Sequence, residues 1–153
     1  MVERQNRDPC CGNAAGSFFF ILGTIIYMEK RLESLSDLET EANMFARTLA
    51  PRKGATLVTL SGELGAGKTA FTKALAKAFG VEEHVTSPTF VLEKIYALPA
   101  GQEFARFAHI DAYRLKDGSE LAALGFDELM SDPETVVVLE WPEKVEDTLP
   151  PRA

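Results

Sequence analysis

The sequence predicts a layered α/β domain, and three observations predict it. Short apolar, β-branched runs alternate with amphipathic runs at helical spacing, and a glycine-rich elbow with one lysine joins two of them. At 153 residues the chain holds one domain with a real core and is too small for two. A composition of 46% hydrophobic and 25% charged residues excludes a disordered or fibrous chain. The net charge of -7 argues against holding nucleic acid by broad phosphate neutralisation, so any RNA connection is local or passes through a partner.

Residues 1–27 read as an N-terminal extension and 28–153 as the single domain. Phe18–Met28, FFFILGTIIYM, is apolar but well short of the roughly 20 residues that span a bilayer. The mixed charges before it and the lack of a small-x-small site after it fit a signal peptide poorly. Three readings stay open: translation that truly begins at Met28, an extra buried or interfacial segment, and an export or anchoring segment. Adjacent Cys10 and Cys11 cannot form an unstrained bridge and have no second pair for zinc. They read as free thiols on a loose tail in a reducing compartment.

From Ser36 the pattern is orderly. Ser36 and Glu39 have capping-box spacing, Leu38, Ala42, Phe45, Ala46 and Leu49 recur at helical spacing, and Pro51 closes the run. ATLVTLS (55–61) is a buried strand. Phe71, Leu75, Ala78 and Phe79 mark a helix that Gly80 ends. TFVLEKIYAL (89–98) and FARFAHID (104–111), joined by PAGQE, predict a hairpin. Ser119–Met130 is a short helix interrupted by Gly125, and TVVVLEW (135–141) is a core strand stopped by Pro142.

Between the first strand and the second helix, Gly62-Glu63-Leu64-Gly65-Ala66-Gly67-Lys68-Thr69 fits G-x-x-x-x-G-K-[ST] at every fixed position. Glycines let the backbone curl so that successive N–H groups point at phosphate oxygens. The following helix turns its free N–H groups and positive dipole end on the same anion. Lys68 reaches the outer phosphates and the Thr69 hydroxyl suits Mg²⁺. The expected nucleotide contacts are therefore Gly62, Leu64, Gly65, Ala66, Gly67, Lys68 and Thr69. The expected fold is a P-loop NTPase-like three-layer sandwich with a mixed, mainly parallel sheet that includes the hairpin.

Hydrolysis needs carboxylates for the metal and the attacking water. Asp111 and Glu140 each end a predicted strand, and ligands of open α/β sheets gather at the carboxyl ends of strands. An acid directly after four apolar residues, as at Glu140, is costly to bury without a partner. Thr86-Ser87-Pro88-Thr89 reads either as a plain turn or as a mobile loop whose hydroxyls sense the last phosphate. His84 reads as an exposed loop residue. His109 shares a sheet face with Asp111, and Trp141 follows Glu140; both stay open between site and core.

SGELGAGKTAFTKALAKAFG, TSPTFVLEKIY, HIDAYRL and VVLEWPEKVEDTLP, in this order, resemble the TsaE (YjeE) family from about Ser36 to Pro150. The resemblance implies a cytoplasmic P-loop ATPase of tRNA threonylcarbamoyladenosine biosynthesis. It would bind and hydrolyse ATP with Mg²⁺ to regulate or reset a TsaB–TsaD complex, touching tRNA only through that complex and no membrane. By position it makes Thr69 and Glu140 magnesium ligands and Asp111 an essential acid beside the metal or the attacking water. It assigns Ser87 and Thr89 to a switch-like loop, and Thr40 to the neighbourhood of the adenine. The family usually begins near Met28 and continues past Leu149-Pro150 with another strand, so a shortened C-terminal edge is expected. Two rival readings are a small-molecule kinase of the P-loop class and a non-catalytic ATP-dependent scaffold.

Overall fold

A computed structural model describes residues 17–22, 28–31, 34–86, 88 and 91–150, the first two stretches by their backbone alone. Cys10, Cys11, Ser87, Thr89 and the last three residues lie outside them. The described elements, in order, are β1 (Ser17–Leu22), β2 (Met28–Arg31), α1 (Leu35–Ala46), β3 (Thr56–Ser61) and α2 (Lys68–Ala78). They continue with β4 (Glu93–Ala97), β5 (Arg106–Asp111), α3 (Gly118–Ala123), α4 (Phe126–Met130) and β6 (Thr135–Glu140). A short 3₁₀ turn, Pro142–Lys144, follows β6.

The six described strands form one sheet in the order β2-β1-β3-β6-β5-β4. The centre is parallel, β3 and β5 flanking β6, and the predicted β4–β5 hairpin closes one side antiparallel. β1 is antiparallel to both β2 and β3, so four of the six strands run the same way. The mixed sheet and its P-loop NTPase-like layering match the expected fold. Within the stretch 1–27, read as an extension, Ser17–Leu22 runs as β1 between β2 and β3. Its sequence SFFFIL is of the aromatic and β-branched kind that suits a strand.

Helices cover both faces of the sheet. α1 and α2 pack on one face, where Leu38, Ala42 and Phe45 meet Phe71, Leu75, Val58, Leu60, Phe107, Val136 and Val138. α3 and α4 cover the other, where Leu121, Phe126 and Leu129 meet Ala108, Ile110, Val137 and Leu139. Successive β6 residues alternate between the two cores, so the whole strand is buried and reads as an unbroken apolar run. Phe71, packed edge-on to Phe45 at 6.0 Å and wholly buried, contributes about 2–3 kcal/mol by burial alone.

One start signal differs from its expectation. Ser34, not Ser36, caps α1, its hydroxyl accepting the Asp37 N–H at 3.1 Å. Ser36 lies inside the first turn, and its carbonyl accepts the Thr40 hydroxyl at 2.9 Å. Serines two apart both offer a cap, and the earlier one lets Leu38 accompany Ala42 and Phe45 into the core. Gly125, in the left-handed region at φ 83, splits the predicted Ser119–Met130 helix into α3 and α4. His84 is exposed as expected. Among the described residues no helix is long and apolar enough to cross a membrane.

Candidate functional site

β3, β5 and β6 end side by side, and their last residues are Ser61, Asp111 and Glu140. Parallel pairing sets Asp111 opposite Glu140, so both carboxylates stand on the α2 face of the sheet. The Gly62–Gly67 loop leaves the β3 end and delivers the chain to the N-terminus of α2. Gly67, the residue before that helix, has φ 94, and Gly65 has φ 78, which L side chains rarely adopt. The N–H groups of the first helical turn have no acceptor within the helix and carry its positive dipole end.

Between loop and strand tips lies an open cleft of about 310 Å³, lined by Leu64, Gly65, Gly67, Lys68, Thr69, Asp111, Tyr113, Glu140 and Trp141. Most of the expected site residues are thus brought together. Gly62 takes part through its carbonyl, which accepts the Lys68 ammonium at 2.8 Å, as does that of Glu63. Ala66 stiffens the loop by donating its N–H to Glu63. Thr40 does not line the cleft; it is exposed on α1, its hydroxyl turned back on that helix. Ser87 and Thr89 lie outside the described residues.

Lys68 is the cation of the site. Its Nζ also sits 3.8 Å from the centre of the Trp141 ring. Burial holds its pKa below the ordinary lysine value, partly offset by the charges of Glu140, Glu143 and Asp111. Glu140 is 2% exposed and accepts at both of its oxygens. Its Oε2 accepts the Thr69 hydroxyl at 3.0 Å; its Oε1 accepts the Thr72 hydroxyl at 3.2 Å and faces His109 Nε2 at 2.7 Å. Asp111 Oδ1 accepts the Tyr113 N–H at 3.0 Å, and the Tyr113 ring lies tilted against Trp141 at the cleft wall, 5.0 Å between ring centres and 53° between ring planes.

The donor set fits a small hard cation. A hydroxyl and a carboxylate oxygen 3.0 Å apart face a cleft suited to phosphates, and Mg²⁺ in such sites takes one or two protein oxygens beside waters and phosphate oxygens. Among the described residues no three His, Cys, Asp or Glu cluster as a protein-only cage.

Sequence reasoning left His109 and Trp141 open and missed Thr72 and Tyr113. Trp141 flanks the site, and His109 joins it from beneath. Spacing could have found the others: Thr72 follows Lys68 by four on one helix face, and Tyr113 follows Asp111 by two.

A mixed sheet with this loop between strand and helix, and paired acids at the adjoining strand tips, defines a P-loop NTPase-like protein. Comparison with known proteins narrows the class. The family model "Threonylcarbamoyl adenosine biosynthesis protein TsaE" matches residues 32–153, and the chain belongs to that family. Several relatives carry the name tRNA threonylcarbamoyladenosine biosynthesis protein TsaE. The one from Streptomyces coelicolor is 47% identical over 93 residues, 60% of each chain. That from Rickettsia prowazekii is 36% identical over 121 residues, 78% of each chain. The Bacillus subtilis relative is 41% identical over 106 residues, 67% of this chain and 61% of its own. The match therefore spans about three fifths of the Streptomyces and Bacillus proteins.

Proposed function

We propose that the chain binds ATP with Mg²⁺ at the Gly62–Thr69 loop and hydrolyses it within the machinery that makes threonylcarbamoyladenosine in tRNA. The observation that carries this reading is the meeting of Lys68, Thr69, Asp111 and Glu140 in one cleft at the strand tips. Lys68 exchanges its loop carbonyls for the outer phosphate oxygens. Thr69 and Glu140 hold Mg²⁺, which supplies charge neutralisation on those phosphates. Asp111 orients the attacking water or the metal's water shell. Leu64, Gly65, Ala66 and Gly67 cradle the phosphates by backbone N–H groups, and Ser87 and Thr89 sense the last phosphate.

The names of the relatives support a role in tRNA threonylcarbamoyladenosine biosynthesis. We place the chain in the cytoplasm with TsaB and TsaD as partners; hydrolysis regulates or resets their complex, and tRNA is met only through it. Phosphate release from ATP, measured with and without a TsaB–TsaD pair, tests this. Slow release that the pair accelerates, with Asp111→Ala binding nucleotide but losing turnover, is the expected result. Transfer of phosphate to a metabolite regardless of the pair would make the chain a kinase. Undiminished modification by a folded, ATP-binding Glu140→Ala variant would make it a scaffold.

A further inference from the structure

The two oxygens of Glu140 are held differently. Oε2 meets Thr69, which lines the cleft, whereas Oε1 is held from beneath by two residues with no exposed surface, His109 and Thr72. His109 stands on β5, paired with Val138 of β6 and Lys94 of β4. Thr72 stands on α2, its hydroxyl shared between Glu140 and the Lys68 carbonyl. A carboxylate only accepts, so His109 must donate from Nε2. His109 Nδ1 is buried without a hydrogen-bond partner among the described residues. The ring is therefore oriented by one bond alone, with Nε2 turned to Glu140.

We infer that His109 and Thr72 are positioning residues for Glu140: they anchor Oε1, so that Oε2 is the oxygen presented to a nucleotide-bound metal beside Thr69. The inference rests on the proposed reading of the cleft as a magnesium–nucleotide site. Its physical basis is the cost of a wandering carboxylate. Without both donors, Oε1 becomes a buried acceptor short of hydrogen bonds, and the side chain rotates to share Thr69 between its oxygens. The oxygen meant for the metal is then presented in several orientations. Loss of such supporting hydrogen bonds typically costs about 10- to 100-fold in metal affinity.

The test reads binding, not turnover. The dissociation constant of a fluorescent, hydrolysis-resistant ATP analogue is measured in EDTA and in excess Mg²⁺ for wild type and four variants. His109→Leu and Thr72→Val remove the donors at similar volume, while His109→Gln and Thr72→Ser keep an N–H or O–H near the original atom. The first two are expected to keep the metal-free affinity and lose about 10- to 100-fold of the gain conferred by Mg²⁺. The second two are expected to recover most of it. An undiminished gain in His109→Leu or Thr72→Val, an equal loss with and without Mg²⁺, or no recovery in the conservative variants would each overturn the inference. Should His109→Leu fail to fold, the nearly isosteric Thr72 pair decides alone. A wild-type protein whose nucleotide affinity ignores Mg²⁺ overturns the reading of the cleft, and this inference with it.

Discussion

Trp141 has φ 60, in the left-handed region where bulky residues are rarely found. Its N–H donates to Leu60 at 3.1 Å, so the ladder between β3 and β6 holds the chain through the turn. The ring is thereby set against Lys68 and Tyr113 at the mouth of the cleft. Strain of this kind persists where the surroundings over-determine it. Lys68 is held as firmly, by two carbonyls and that ring, at the cost of a buried charge. Lys68→Ala is expected to lower turnover by on the order of 10²-fold or more while leaving the fold intact. Stability adds a second signature. Burial depresses the folded pKa of Lys68 below the ordinary 10.5, so between the two values the unfolded chain holds more protons. Wild-type stability therefore gains with rising pH across that window, and the variant lacks this gain. Phosphate release and urea midpoints from neutral to alkaline pH check both; unchanged turnover would remove Lys68 from the mechanism. At this scale the sequence was legible where chemistry restricts residue type. The glycine loop, Lys68, Thr69 and the strand-end acids, all marked by motif and position, meet in one cleft. Thr72 shares a helix face with Lys68, but His109 joins them through Glu140, and only folding brings it there.

The elements are joined at two small clusters away from the cleft. Gly118 begins α3 and donates its N–H to Asp147 of the C-terminal segment at 3.1 Å. A Cβ on Gly118 would lie 1.5 Å from Thr148 Oγ1 and 2.6 Å from Thr148 Cβ, too close for a side-chain rotation to relieve. Gly118→Ala is expected to destabilise the protein by about 1–3 kcal/mol, and Thr148→Gly in that background to restore part of it. A urea series on the three proteins checks this, and a neutral Gly118→Ala would show that the segment yields. The second cluster is Asp132, between α4 and β6, whose carboxylate accepts from the Thr135 hydroxyl, the Glu134 N–H and the Arg106 guanidinium. It ties the starts of β5 and β6 together. The Thr135 hydroxyl foremost holds its pKa below the ordinary 3.8; burial opposes this, and the Glu134 N–H and Arg106 add to the lowering. A lowered folded pKa means stability that is present above 3.8 and lost as pH falls through the folded value. Asp132→Ala is expected to cost about 1 kcal/mol at neutral pH, solvent screening included, with the gap to wild type closing in acid. A gap constant across that range would exclude the charge as its source. Element existence was legible because apolar period and glycine punctuation agree from β3 onward. The start of α1 was not, because Ser34 and Ser36 both satisfy the local cap and only burial of the helix face chooses between them.

For the molecule as a whole, the parallel centre of the sheet determines where function sits. β6 is buried on both faces, which leaves its carboxyl-terminal edge as the place where polar chemistry can collect. That much follows from four apolar residues before Glu140. The place of β1 did not follow, because Phe18–Met28 is too short for a membrane helix yet has no polar alternation to mark a sheet face. Charge bears on partners at the same scale. Twenty-three acidic residues against sixteen basic ones give the chain its net -7, and near a polyphosphate that excess is repulsive. Proteins that hold RNA by counterion release carry the opposite balance, and even non-specific binding by them reaches dissociation constants of about 10⁻⁴–10⁻⁶ M. The isolated chain is therefore expected to form no complex with tRNA at micromolar concentrations and physiological salt, with or without ATP. Titration of labelled tRNA followed by fluorescence anisotropy measures this, with salt varied to expose any phosphate contacts. Adding a TsaB–TsaD pair should bring tRNA and chain into one assembly. Tight, salt-sensitive binding by the chain alone would mean that a local basic surface outweighs the net charge, and tRNA contact would then belong to this chain itself.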